Sequence, residues 1–511
     1  MAFDKITVKV FRYNPLQDVS PRYDVFKVPY AKGTKVLDSL IYIYENLDSS
    51  LAFRWSCKNV QCGSCAVLVN GKPFLACEKE PPENAVLEPL SGFPVVRDLV
   101  VDFEEFDERK RRIRPYPEMI APVLRPIIRK QEEATRILGL SKCIECRICH
   151  PVCPSYEVSA EFAGPSLMCK LAALECDERD KGDRVTLSVL EGLYDCTLCH
   201  ACSEACPKDI DLQYQVLERL RQLAVTKGVG PLPPQKELAD KVAKTGWILS
   251  GHGKPLIAEI PETFGSSNER VGIFLGCMIN LKMQDTGRAL YNVLRQNSLE
   301  AITPHDQVCC GYPLLKTGQV EFAKNHLIRR NIEAFERHEV DTVITACACC
   351  GITLKTDYPR LSLEILGREP KFRVMDMSEF LTNEIKLNRK DMSQISMKVT
   401  LHDPCNLRRG QKIFEEPRKI LTFIPGLKLL EMKDSDKCCG AGGGVMFGKQ
   451  NIADVIGAKK VRSITETKTD AATTSCPFCI EQISQSAKNL GMEKFTVLHI
   501  ADILSKAYSR R

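Results

Sequence analysis

Ten cysteines in the C-terminal half of this 511-residue chain form one pattern written twice. Cys277, Cys309, Cys310, Cys347 and Cys350 make the first copy; Cys405, Cys438, Cys439, Cys476 and Cys479 make the second. In both, 36 residues separate the adjacent pair from the closing CxxC, and the copies are offset by 128 residues at the first cysteine and 129 at the others, so one module has been duplicated. Five thiolates drawn together form an anionic nest that needs a cation, and iron suits such soft sulfur donors. Zinc is satisfied by four ligands, and disulfides call for no repeated set of five.

Three more cysteine sets lie upstream. Cys57, Cys62, Cys65 and Cys77, with four, two and eleven residues between them, have the plant-type [2Fe-2S] spacing. CIECRICHPVCP supplies Cys143, Cys146, Cys149 and Cys153, and CTLCHACSEACP supplies Cys196, Cys199, Cys202 and Cys206. Each is the CxxCxxCxxxCP run of two-cluster ferredoxins, whose fourth cysteine ligates the other cluster. That rule assigns Cys143, Cys146, Cys149 and Cys206 to one [4Fe-4S] cubane, and Cys196, Cys199, Cys202 and Cys153 to the second. Cys169, Cys176 and Cys349 fit no motif and read as packing residues.

The elements that must position these thiols are legible in the hydrophobic pattern. ITVKVFRY and DVFKVPY alternate as a hairpin, VLDSLIYIYENL is an amphipathic helix, and CAVLVNGKPFLAC reads as a second hairpin turning at Asn70-Gly71. In the duplicated half, VGIFLG runs into Cys277, DTVITA into Cys347, MKVTLHDP into Cys405, and LKLLEM precedes Cys438. Helical stretches such as GQVEFAKNHLIRRNIEAF and NIADVIGAKKVRSITET follow. Alternating β and α units imply a parallel sheet, in which ligands collect at the carboxyl ends of strands. The expected architecture is multidomain: a β-grasp ferredoxin domain over 1–105, an α-helical two-cubane domain over 106–235, a linker over 236–270, and tandem α/β domains over 271–395 and 396–511. The charged run at 107–114 reads as a solvated connector. The Gly440–Gly444 cluster lacks a full GxGxxG and predicts close backbone approach to a cluster, not a nucleotide loop.

Composition narrows the class. Net charge is +6, from 71 basic and 65 acidic residues, too balanced to argue for nucleic acid. Twenty-five cysteines in a chain without a signal-peptide-like start predict metal centres in a reducing, cytoplasmic setting. No run of about 18 apolar residues predicts a membrane span.

The duplicated cysteine pattern resembles the CCG-domain proteins, whose catalytic member is the disulfide-reducing subunit of heterodisulfide reductase. The resemblance implies a non-cubane [4Fe-4S] cluster at each complete five-cysteine set, two in all, and a thiol/disulfide reaction there. The wording SCKNVQCGSCAVLVNGKPFLAC resembles the iron–sulfur subunits of succinate dehydrogenase and fumarate reductase, which implies electron exchange with a separate FAD-containing flavoprotein subunit. The combination is similar to the B-subunit family of thiol:fumarate reductases. That implies a heterodimer with the flavoprotein A subunit that oxidises coenzyme M and coenzyme B thiols to their heterodisulfide and sends electrons to fumarate. Arg408, Arg409 and Lys412 are candidate contacts for the acidic groups of these thiols, and His402 a candidate proton acceptor. The competing expectation is an electron-transfer subunit of a membrane-associated succinate, glycolate or glycerol-3-phosphate dehydrogenase.

Overall fold

The computed structural model describes residues 5–120, 130–249, 253–265, 270–385 and 387–508. The chain divides into two compact units, Met1–Leu193 with Ala201–Leu220, and Tyr194–His200 with Arg221–Arg511.

The first unit opens with a five-stranded mixed sheet. Lys5–Arg12 lies between antiparallel Arg22–Pro29 and parallel Asn84–Glu88, and the hairpin Ala66–Val69/Lys72–Leu75 completes the sheet. Alternation in the first strand buries Ile6, Val8 and Val10 on the face covered by helix Val36–Asn46, through Val36, Leu37, Leu40 and Ile43. Each such side chain contributes about 1.5–3 kcal/mol on burial. Asn70 and Gly71 both have positive φ, as the expected two-residue turn requires. At the strand's end the Arg12 guanidinium is buried among Asp24, Asp48, Asp98 and Ser50, which ties the sheet to the loop after the helix. The charged run at 107–114 is mostly helix Glu104–Arg112. Arg109 caps the carbonyls of Ala160 and Phe162, and Lys110 pairs with Glu145, so this stretch is fastened to the helical part of the unit.

The second unit holds two sheets of one topology. In the first module Glu300–Ile302, Arg270–Phe274, Thr342–Thr345 and Arg373–Asp376 are parallel neighbours in that order, with Thr263–Phe264 added antiparallel at one edge. In the second the order is Leu427–Leu429, Met397–Leu401, Ala471–Thr474 and Val497–His499, all parallel. The first and third strands of each module are therefore adjacent, and between them the winding reverses. That switch point is where open α/β sheets bind ligands. The region read as a linker contains helix Pro233–Thr245, with prolines in its first turn and Leu238, Ala239 and Val242 buried. Paired prolines suggest a break, but at the first helical positions they cost nothing, because those amides have no intrahelical partner.

Candidate metal centres

Each five-cysteine set gathers at its module's switch point. Cys277 lies in the short helix Gly276–Leu281 after the first strand, and Cys347 caps the helix after the third. Cys405 opens helix Cys405–Gln411, and Cys476 caps Pro477–Asn489. The two capping cysteines have the same extended backbone, with φ of −140° in both. Gly276 has φ of +68°, and a Cβ there would stand 2.8 Å from the Cys350 sulfur, so only glycine lets the chain turn this close to the nest. All ten cysteines are buried. The first cavity is lined by Cys277, Cys309, Cys310, Cys347 and Cys350 among apolar side chains. The second is lined by Cys405, Cys439, Cys476 and Cys479, with Asn406 and Tyr312.

The electrostatics fit a multivalent cation. Cys347 is held well below the ordinary thiol range by a hydrogen bond with Cys349, then by those with Cys350 and Cys476. Cys439 is held low in the same way by Cys438 and Cys479, whose sulfur lies 3.4 Å away. The neighbours rise well above that range: Cys309 against Cys277, Cys310 against Cys309, Cys350 against Cys310, and Cys479 against Cys439. Buried thiols this close cannot all ionise alone, whereas a positively charged iron centre takes them as thiolates. Backbone amides also point at sulfur, from Gly311 to Cys309 at 3.4 Å and from Gly440 to Cys438 at 3.3 Å. These donors suit a sulfur-ligated cluster.

His402 is buried. Its Nδ1 donates to the Ser435 carbonyl at 3.2 Å, while Nε2 is buried without a hydrogen-bond partner among the described residues. A ring nitrogen of His402 lies with the Cys439 and Cys479 sulfurs in a group mutually within 4.8 Å. Burial, with Lys460 nearby, lowers its pKa to about 3, so the ring is neutral at pH 7. Arg408 and Arg409 face carboxylates. Arg409 donates to Asp436 Oδ2 at 2.9 Å and to its carbonyl, and Arg408 lies 3.8 Å from Asp403 and 3.7 Å from Asp436.

In the first unit the loop carrying Cys57, Cys62 and Cys65 is wound to aim amides at sulfur. Asn59 and Gln61 donate to Cys57 at 3.3 Å, and Val60 donates to Cys77 at 3.4 Å. Lys58 and Val60 have positive φ, a strained state for a β-branched residue that is retained where backbone N–H groups must converge. Cys62 and Cys57 are exposed and Cys65 and Cys77 buried, so one edge of this site faces solvent. Gly63 is pressed against the next motif, where a Cβ would meet the Cys146 Cα at 2.9 Å. Among the first cubane's expected ligands, Cys146 feels the charges of Cys143 and Cys206, and burial pushes it up to about 12. Cys169, read as a packing residue, also hydrogen-bonds Cys143 and is the main cause of that thiol's fall to about 7. Glu145 and Arg147 have positive φ, and the same wrap recurs 53 residues on at Leu198 and His200.

Within the second unit, the segment Tyr194–His200 packs on the second module. A hydrogen bond from Cys199 is the first cause of the low pKa of Cys438. The buried Arg221 donates to the carbonyls of Cys196, Lys316 and Gly443 at 2.7–2.8 Å. A Cβ on Gly442 would stand 2.4 Å from the Thr197 oxygen, and one on Gly443 2.5 Å from that of Cys196. Gly442 and Gly443 therefore serve close approach to the backbone at Cys196 and Thr197, while Gly440 packs on Ala453 and Gly444 on Thr317.

Family models match along the chain: a 2Fe-2S iron-sulfur cluster binding domain over 7–108, a 4Fe-4S dicluster domain over 139–210, and the cysteine-rich CCG domain over 271–355 and 399–484. The chain is 40% identical over 504 residues to the B subunit of fumarate reductase (CoM/CoB) from Methanothermobacter marburgensis, covering 99% of both proteins. It belongs to that family. It is also similar to the D subunit of a dihydromethanophenazine:CoB–CoM heterodisulfide reductase from Methanosarcina barkeri, at 30% identity over 74% of this chain and 96% of the relative. A further match is the fumarate reductase iron-sulfur subunit of Haemophilus influenzae, at 37% identity over 40% of this chain and 88% of that one. The protein is thus an iron–sulfur subunit of the oxidoreductase class, built by joining the two types. Among the described residues no helix is long and apolar enough to cross a membrane.

Proposed function

We propose that this subunit oxidises coenzyme M and coenzyme B thiols to their heterodisulfide at the two CCG sites and passes the two electrons singly to a flavoprotein A subunit that reduces fumarate to succinate. The observation that carries this reading is that both modules keep a full five-thiol set, around two cavities that share Pro313 and Phe478 in their walls. A pure electron carrier has no need of two complete sets side by side. Iron–sulfur clusters held by these cysteines would supply one-electron acceptors and a site where a substrate thiolate binds iron. The chain's own part is to bury the thiols, aim amides at their sulfurs and exclude water with Ile248, Met278, Phe447 and Phe478.

Contacts inside each unit support two steps of the relay. Cys199 against Cys438 supports transfer between the second CCG site and the ferredoxin motif, and Gly63 against Cys146 supports transfer between the first cubane and the plant-type site. The exposed edge at Cys57 and Cys62 suits the flavoprotein. The cysteine content suits a reducing, cytoplasmic setting. Co-expression with the flavoprotein tests the proposal. Purified complex should reduce fumarate when given both thiols; an iron-replete complex that reduces fumarate from an artificial dye but never from thiols would overturn it.

A further inference from the structure

We propose that Cys349 is a sixth sulfur donor at the second module's site, contributed from the first module across their boundary. The inference rests on reading the two five-cysteine sets as cluster sites.

Cys347 and Cys350 line the first cavity, whereas Cys349, between them in sequence, lines the second with Cys405, Cys439, Cys476 and Cys479. The short helix Ala348–Ile352, capped by Cys347, thus supplies side chains to both cavities. The Cys349 sulfur lies 3.8 Å from that of Cys476, and the sulfurs of Cys347, Cys349 and Cys476 are mutually within 4.8 Å, close enough to share a metal centre. Asn406, 3% exposed, lines the same cavity, and its Nδ2 donates to the Cys349 sulfur at 3.3 Å and to the Tyr312 hydroxyl at 2.8 Å. Asn406 Oδ1 is buried with no hydrogen-bond partner among the described residues, the mark of a site built for a further group.

The duplication supplies an internal control. Position 349 corresponds to 478 at the 129-residue offset, and Phe478 reaches back to line the first cavity as well as the second. At this one position of the repeat each module lends the other a different side chain: a thiol to the second site and a phenyl ring to the first. The two sites are chemically unequal. At the first an incoming thiol would meet an apolar ring; at the second it would meet the Cys349 sulfur beside the cluster's other ligands.

The test uses anaerobically purified full-length protein, parent against Cys349→Ala and Cys349→Ser, read by iron content and by Mössbauer and EPR spectra. Parent protein should carry about 18 irons per chain, and a value near 10 would count against clusters at the CCG sites altogether, separately from any role of Cys349. With the parent replete, Cys349→Ala should alter the spectrum of one CCG cluster, or lose about four irons, and leave the other cluster unchanged. Cys349→Ser should change the same signal differently, because oxygen replaces sulfur. Spectra of a replete Cys349→Ala variant that superpose on the parent would overturn the proposal, as would loss of iron from both CCG sites alike, which marks a folding defect. If the alanine variant does not accumulate, the serine variant decides on the same spectra.

Discussion

Gly443→Ala tests how the ferredoxin motif is joined to the second CCG module. Gly443 has φ of +60°, and its Cβ would stand 2.5 Å from the Cys196 oxygen, 2.9 Å from the Thr197 carbonyl carbon and 3.1 Å from the Thr197 oxygen. Real Cβ atoms do not approach within 3.0 Å, so the two backbones must part by at least about 0.5 Å. Retreat is opposed by Arg221, which clamps the Gly443 and Cys196 carbonyls together from one guanidinium. Left-handed strain costs about 1–2 kcal/mol, and forced overpacking about 1–3 kcal/mol. A net loss of about 2–5 kcal/mol lowers the melting temperature of a unit this size by roughly 4–20 °C. Gly491→Ala is the control: its φ is +76° but a Cβ there meets nothing within 4 Å, so it reports strain without contact. Thermal unfolding of the anaerobic protein, followed with thiol-to-flavin electron transfer, provides the assay. The Gly443 variant should melt well below the control and transfer electrons more slowly with its iron intact. Equal melting temperatures for the two variants would refute the packing argument.

Two shorter predictions follow from the same geometry. Arg409→Ala should cost about 2–3 kcal/mol of stability through the lost Asp436 contacts while changing the KM for either thiol by less than about twofold; a KM effect without destabilisation would restore the substrate-contact role expected from sequence. Metal analysis should find no stoichiometric zinc at the duplicated sites, since five thiols exceed zinc's four ligands; one zinc per module would contradict the iron assignment.

How far the sequence could be read depended on the range of the signal. The iron–sulfur and CCG domains were legible because cysteine spacing is local and cluster sites tolerate few spacings. Strand ends at Cys277, Cys347 and Cys405 and the turn at Asn70-Gly71 were legible because period-2 alternation and positive-φ chemistry are local too. The role of Gly442 and Gly443 was not, since their partners at Cys196 and Thr197 lie more than 240 residues away in the chain. Arg221 gave no signal for a related reason: an arginine in a polar helix looks solvated until three distant carbonyls converge on it. Arg408 and Arg409 stood out by nearness to Cys405, but sequence proximity says nothing of Asp436, which takes them up. Cys349 was the recoverable case. It is a third thiol inside the first closing CxxC where the second copy has Phe478, a difference the repeat itself displays.

The central claim is that thiols are oxidised at the CCG sites and that the plant-type site serves the flavin. Thiol-dependent dye reduction, measured beside thiol-dependent fumarate reduction in Cys309→Ser and Cys62→Ser, tests it most directly, with iron content and solubility confirming that each variant keeps its other clusters. Cys309→Ser should lose both activities and keep dye-driven fumarate reduction, whereas Cys62→Ser should lose only the coupling to fumarate and still reduce dye from thiols. A folded Cys309→Ser protein with its remaining clusters intact that oxidises thiols at the parent rate would contradict the account.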